Sequence, residues 1–81
     1  MKKNSNANKE AYVNEIENKE NEIEILRTKE QEEIEESEGM LEAEEISEFT
    51  HERNLEQIAE KYSSMIEDLE DEIAELEIEI E

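Results

Sequence analysis

From Leu55 to Ile80 the apolar residues fall into two interleaved series. Leu55, Tyr62, Leu69 and Leu76 lie seven apart, and Ala59, Ile66, Ile73 and Ile80 follow each of them by four. Steps of four and three put both series on one helical stripe, a heptad seam with Ala or Ile at a and Leu or Tyr at d. Ile at a with Leu at d favours a parallel two-stranded coiled coil. The pattern predicts a long acidic helix over residues 40–81. Continued upstream, the seam meets Glu52 at a and Glu48 at d, while Met40, Ile46 and Phe49 keep another phase. A phase slip, a bend, or a helix start capped by Thr50 is therefore expected near residues 50–54.

A thinner stripe precedes it. Asn14-Glu15-Ile16-Glu17 recurs seven residues later as Asn21-Glu22-Ile23-Glu24, and Tyr12, Ile16, Ile23 and Leu26 share one face that Lys19 interrupts. This predicts a first helix over residues 9–36, behind a polar, asparagine-rich tail at residues 1–8 that reads as disordered. Ser37-Glu38-Gly39 contains the only glycine and marks the expected break, because glycine readily takes the left-handed conformation that ends helices. A continuous rod is the alternative, since one helical glycine costs only ~1 kcal/mol. A turn at Gly39 would lay Leu26 and Ile23 near residues 50–55 and Ile16 and Tyr12 near 60–66. Leu69 to Ile80 would then overhang and pair with a second copy. The expected class is all-α: long helices forming a helical hairpin and/or a coiled-coil homodimer. In a parallel dimer Glu72 at g would face Glu77 at e of the other chain, a like-charge pair that favours antiparallel pairing.

Composition narrows the function. The chain has 81 residues, enough for one small domain. At 33% hydrophobic and 4% aromatic it is too lean for the core of a compact enzyme, so a second copy or a partner is expected to complete the buried surface. The sequence contains no cysteine, which removes disulfide scaffolds and thiolate zinc sites. Met1-Lys2-Lys3 begins like a signal peptide, but Asn4-Ser5-Asn6-Ala7-Asn8 follows in place of an apolar run. No segment approaches the ~18 apolar residues of a membrane span. A cytoplasmic location is expected. The richness in Asn, Lys, Glu and Ile suggests an AT-rich coding sequence, as in a low-GC bacterium or its phage.

Candidate chemistry is sparse. Glu48-Phe49-Thr50-His51 matches the Glu-x-x-His spacing of di-metal helical bundles, but 26 of the 81 positions are Glu, so chance supplies such matches. His51 has no second histidine at the spacing of a zinc protease motif. Glu67-Asp68-Leu69-Glu70-Asp71-Glu72 lacks the calcium-loop spacing and its turn glycine. There is no phosphate-binding glycine loop and no nucleophile beside a base. The expectation is a non-enzyme with no cofactor and no metal site.

Charge is the remaining signal. The net charge is −20, from 28 acidic and 8 basic residues. Residues 1–31 carry seven acids and six bases, a net of −1; residues 32–81 carry 21 acids and two bases, a net of −19. Solvated helix faces ordinarily mix signs, because Glu and Lys at i,i+4 stabilise a helix, so an unbalanced face costs stability. As helix, residues 32–81 would span roughly 75 Å at ~1.5 Å per residue. Two such helices side by side would carry about one net charge per 2 Å, against one per ~1.7 Å for duplex DNA, and would measure about 20 Å across. Glu67, Asp68, Glu70, Asp71, Glu72, Glu75, Glu77 and Glu79 are the candidate phosphate-like surface. Leu55, Ala59, Tyr62, Ile66, Leu69, Ile73, Leu76 and Ile80 are the candidate oligomerisation seam.

In size, charge and composition across residues 32–81 the chain resembles the small acidic DNA-mimic proteins of bacteriophages. That group shares no common fold or motif, so the resemblance transfers no individual site residue. It implies a basic bacterial DNA-binding partner such as the nucleoid protein HU, inhibition by occupation of the DNA site, and no catalysis; the acidic charge itself argues against direct contact with nucleic acid or an anionic membrane. The competing expectation is a structural coiled-coil scaffold or assembly protein that binds a partner helix through the seam.

Overall fold

The structure is a computed structural model that describes the backbone of residues 2–81 and the side chains of residues 8–81. It contains two helices, α1 (Lys2–Glu42) and α2 (Glu48–Ile80), joined by a turn at residues 43–47. They form an antiparallel all-α hairpin with Cα extents of 65 × 15 × 10 Å. The 41 residues of α1 account for ~60 Å of that length at ~1.5 Å each. Among the described residues no helix is long and apolar enough to cross a membrane.

One stripe from each helix meets the other. On α1 it runs Tyr12, Ile16, Lys19, Ile23, Leu26, Glu30, Glu33, Ser37, Met40, in alternating steps of four and three, and every member is at least half-covered. On α2 it runs His51, Leu55, Ile58, Tyr62, Ile66, Leu69, Ile73, Leu76, Ile80. Only Ile58, Tyr62 and Ile66 on α2 and Ser37 on α1 are buried. Two helices have one interface between them, so a single stripe on each is all that leaves water.

Seven of the eight expected seam residues lie on this stripe. Ala59 does not: it is exposed, and Ile58 is buried in its place. Isoleucine removes more apolar area than alanine, and the helix turns to bury it. The phase slip therefore falls between Ile58 and Ile66, where two consecutive steps of four replace the four–three alternation, and not at residues 50–54. Such an insertion locally unwinds a left-handed supercoil.

The helix boundaries also differ from those expected. Gly39 lies inside α1 with an ordinary negative φ, so the first helix does not stop at residue 36 and the second does not start at residue 40. Of the tail expected over residues 1–8, the backbone from Lys2 on belongs to α1; Met1, and the side chains before Asn8, lie outside the described residues. α1 ends on a two-bond motif: the Glu44 N–H donates to the Leu41 carbonyl at 3.0 Å and the Glu45 N–H to the Met40 carbonyl at 2.9 Å. This is the Schellman arrangement, and its left-handed position is held by Glu44 at φ 59°. α2 then starts at Glu48, not at Thr50. Ser47 is its N-cap and accepts from the Thr50 N–H at 3.1 Å.

The register follows from two contacts. Lys19 faces Glu72, and Ser37 faces Asn54, 18 residues further along α1 and 18 back along α2. Leu26 is therefore level with Met65 and Ile66, and Tyr12 and Ile16 are level with Leu76 to Ile80. The overhang expected for Leu69 to Ile80 is not formed, because α1 runs beside that segment to its end.

The turn yields a paired prediction. A Cβ on Gly39 would meet nothing within 4 Å, so Gly39→Ala removes helical glycine's entropy cost without a clash and should stabilise by about 0.5–1 kcal/mol. Glu44→Gly relieves a left-handed non-glycine residue and should stabilise by up to about 1 kcal/mol. Thermal denaturation followed by circular dichroism should show a higher Tm for each. A lower Tm for Gly39→Ala would mean that the helix does break there.

Candidate partner-binding surface

The hairpin redistributes the charge seen in the sequence. Its paired stretch distal to the turn is built from residues 10–24 and 67–81, and residues 2–9 of α1, with Lys2, Lys3 and Lys9 in sequence, continue past it. The paired residues hold six acids on α1 (Glu10, Glu15, Glu17, Glu20, Glu22, Glu24), nine from α2 and Glu81, and one base, Lys19, for a net of −14. The middle, residues 25–37 with 54–66, holds seven acids and three bases, a net of −4. The turn end, residues 38–53, holds six acids and one base, a net of −5. Residues 1–31 are close to neutral as a segment, but most of their glutamates are delivered to the most acidic part of α2.

All eight expected surface residues, Glu67, Asp68, Glu70, Asp71, Glu72, Glu75, Glu77 and Glu79, are exposed. The seam residues Ile66, Leu69, Ile73, Leu76 and Ile80 point to α1, so the acids occupy the flanks and back of the helix. Glu72 differs from the rest, because its carboxylate meets Lys19 Nζ at 3.2 Å. Lys19 stands in the α1 stripe with its side chain three-quarters covered, so it brings a cation to Glu72 in a stretch otherwise charged only by acids. Sequence reading treats Lys19 as an interruption. The register shows it to be the one base within the paired residues 10–24 and 67–81.

The second ion pair lies in the middle. Glu33 accepts from Lys61 Nζ at 3.2 Å and from the Tyr62 hydroxyl, and Lys61 Nζ also lies 4.9 Å from the centre of the Tyr62 ring. These two donors hold the Glu33 carboxyl below the usual 4.5, the Tyr62 hydrogen bond being the larger cause. The same carboxylate pushes the Tyr62 hydroxyl above 10.0 and the Lys61 ammonium above 10.5. One turn on, Ser37 is buried among α2 side chains. Its Oγ accepts from Asn54 Nδ2 at 3.2 Å and is hydrogen-bonded to His51 Nδ1 at 2.8 Å, the tautomer of the imidazole deciding which of the two donates. A shallow groove bordered by Glu33, Ser37, Met40, Asn54 and Lys61 opens beside these contacts. Several of its polar groups are already bonded to one another.

The di-metal spacing acquires no geometry of its own. Glu48 is exposed, and His51 turns Nδ1 to Ser37. Among the described residues no three His, Cys, Asp or Glu side chains are placed to hold one ion. Phe49, outside the seam, is exposed with Arg53 5.9 Å from its ring centre. The described surface is therefore dominated by carboxylates, most of them without a cation. No protein-family model, no curated protein and no solved structure matches the chain.

The Glu33 cluster gives a pH window with a defined sign. A carboxyl with a lowered folded pKa stabilises fully above its unfolded value, ordinarily 4.5, and the contribution is lost as pH falls through the folded value. A phenol with a raised folded pKa stabilises fully below 10.0, and that contribution is lost as pH rises through the folded value. The stability advantage of the parent protein over Tyr62→Phe should therefore be flat between about pH 5 and pH 9 and shrink on both sides. Urea denaturation across that range checks it, and an advantage that grows below pH 4 would show that Tyr62 does not hold the ionised carboxylate.

Proposed function

We propose that the chain is a non-enzymatic DNA mimic that binds a basic DNA-binding protein, such as HU, and inhibits it by occupying its DNA site. The observation that carries this reading is the charge spacing in the paired stretch distal to the turn. Fourteen net negative charges lie along 15 residues of paired helix, roughly 22 Å at ~1.5 Å per residue. That is about one per 1.6 Å, next to one per ~1.7 Å for duplex DNA. Two helices of ~10–12 Å each also give a width near 20 Å.

One chain is enough for this. The hairpin brings together both acidic helices, so a basic groove can take that stretch as it would a short length of duplex, with carboxylates in place of phosphates. The partner relieves repulsion that the free protein carries, and the long-range field steers it onto the surface. Hydrogen bonding to Lys19 keeps Glu72 as part of the hairpin, which leaves the outward Asp68, Asp71 and Glu75 as the residues best placed for a partner's Lys and Arg.

A competition experiment tests this with HU and a fluorescent 20-base-pair duplex. The protein should displace the duplex at low salt. The triple reversal Asp68→Lys, Asp71→Lys and Glu75→Lys should weaken inhibition on the order of tenfold or more with helicity retained. The protein's own affinity for HU should also fall steeply as ionic strength rises, since exposed charges are screened within ~10 Å at 0.1 M salt. Binding that persists or strengthens at high salt would support seam-driven assembly with a partner helix in place of mimicry.

A further inference from the structure

Two heptad stripes can close into a hairpin in more than one register. From Ile66 to Ile80 the stripe of α2 is wholly apolar, and Leu26 back to Tyr12 of α1 cover it in the observed register; in a shifted register the part left uncovered would keep its burial only by pairing with a second copy. A turn at Gly39 is such an alternative, two heptads from the observed register. It would set Leu26 level with His51 and Ile23 level with Asn54, put the break on the only glycine, and spare Glu44 its positive φ. Local backbone preference favours that turn. The chain nevertheless continues as helix past Gly39 and turns at residues 43–47.

The polar members of the stripes distinguish the two registers. In the observed one, Ser37 is 4% exposed and is bonded to both His51 and Asn54 across the interface. Glu33, one turn away, is bonded across the interface to Lys61 and Tyr62. In the Gly39 register Ser37 would sit in the turn, and the imidazole and amide of α2 would face isoleucine and leucine without partners. Groups desolvated in that way cost far more than a satisfied hydrogen bond returns. Pairing of α2 with a second α2 likewise separates His51 and Asn54 from Ser37. We propose that the buried Ser37–His51–Asn54 layer is the device that selects this register, and with it the closed single-chain hairpin over the Gly39 turn and over intermolecular pairing. Single polar residues in a coiled-coil seam have this effect at some cost in stability.

The chain has no cysteine, so Thr28→Cys and Ser63→Cys carry spin labels without background. These positions are level in the observed register and offset axially by about 21 Å, 14 residues, in the Gly39 register. The labelled parent should give one short distance by pulsed electron resonance and a monomer mass by light scattering. His51→Leu with Asn54→Leu removes the penalty from α2, and Ser37→Val removes the preference from α1. At least one of them should add a second, longer distance or a dimer mass while remaining helical. Ile58→Ala weakens the same stretch of seam and should keep the single distance. The proposal is overturned if both layer variants keep one short distance and a monomer mass, or if both lose their helicity. It is also overturned if the parent or Ile58→Ala already shows two distances.

Discussion

The hairpin is a contest between one apolar stripe and the mutual repulsion of like charges along both helices. Three buried side chains on α2 and one on α1 hold together a molecule with a net charge of −20. The apolar members of the two stripes set the register coarsely, with Tyr12 to Leu26 beside Ile66 to Ile80. The contacts of Lys19, Glu33 and Ser37 between the helices, all polar, fix it further. Register in turn decides where the charge goes. Shifted by two heptads, α2 would lose the cover of α1 over its most acidic segment, and the glutamates of α1 would lie beside a different part of α2.

Much of the fold is legible in the residues. The absence of proline, the heptad spacing after Leu55 and the repeated Asn-Glu-Ile-Glu segments specify two long helices and most of the seam. The turn is less legible, because local and global terms disagree there. Gly39 is the residue best suited to end a helix, yet Glu44 carries the left-handed φ, and a break at Gly39 would put Ser37 in the turn and cost it its bonds to His51 and Asn54. The choice of Ile58 over Ala59 is a further tertiary effect. Both fit a helical stripe, and burial of the larger side chain decides between them.

The candidate surface is legible in part. Each acid from Glu67 to Glu79 can be placed on the outside of α2 from its spacing to Leu69, Ile73 and Leu76. The contribution of Glu15 to Glu24 cannot, because it depends on which stretch of α2 they lie beside. The same holds for Lys19. On the helix alone it breaks an apolar stripe; across the interface it neutralises Glu72 and permits two acidic flanks to approach. The arrangement concentrates charge in the paired stretch distal to the turn, at −14 against −4 for the middle and −5 for the turn end, so a cationic partner that follows charge would engage that stretch.

Nuclear magnetic resonance mapping tests this account most directly. Isotope-labelled protein would be titrated with HU at low salt and the amide shifts followed residue by residue. Perturbations should concentrate in residues 10–24 and 67–81, on both helices together, and fade as salt is added. Perturbations centred on residues 25–37 and 54–66, confined to one helix, or indifferent to salt would contradict it.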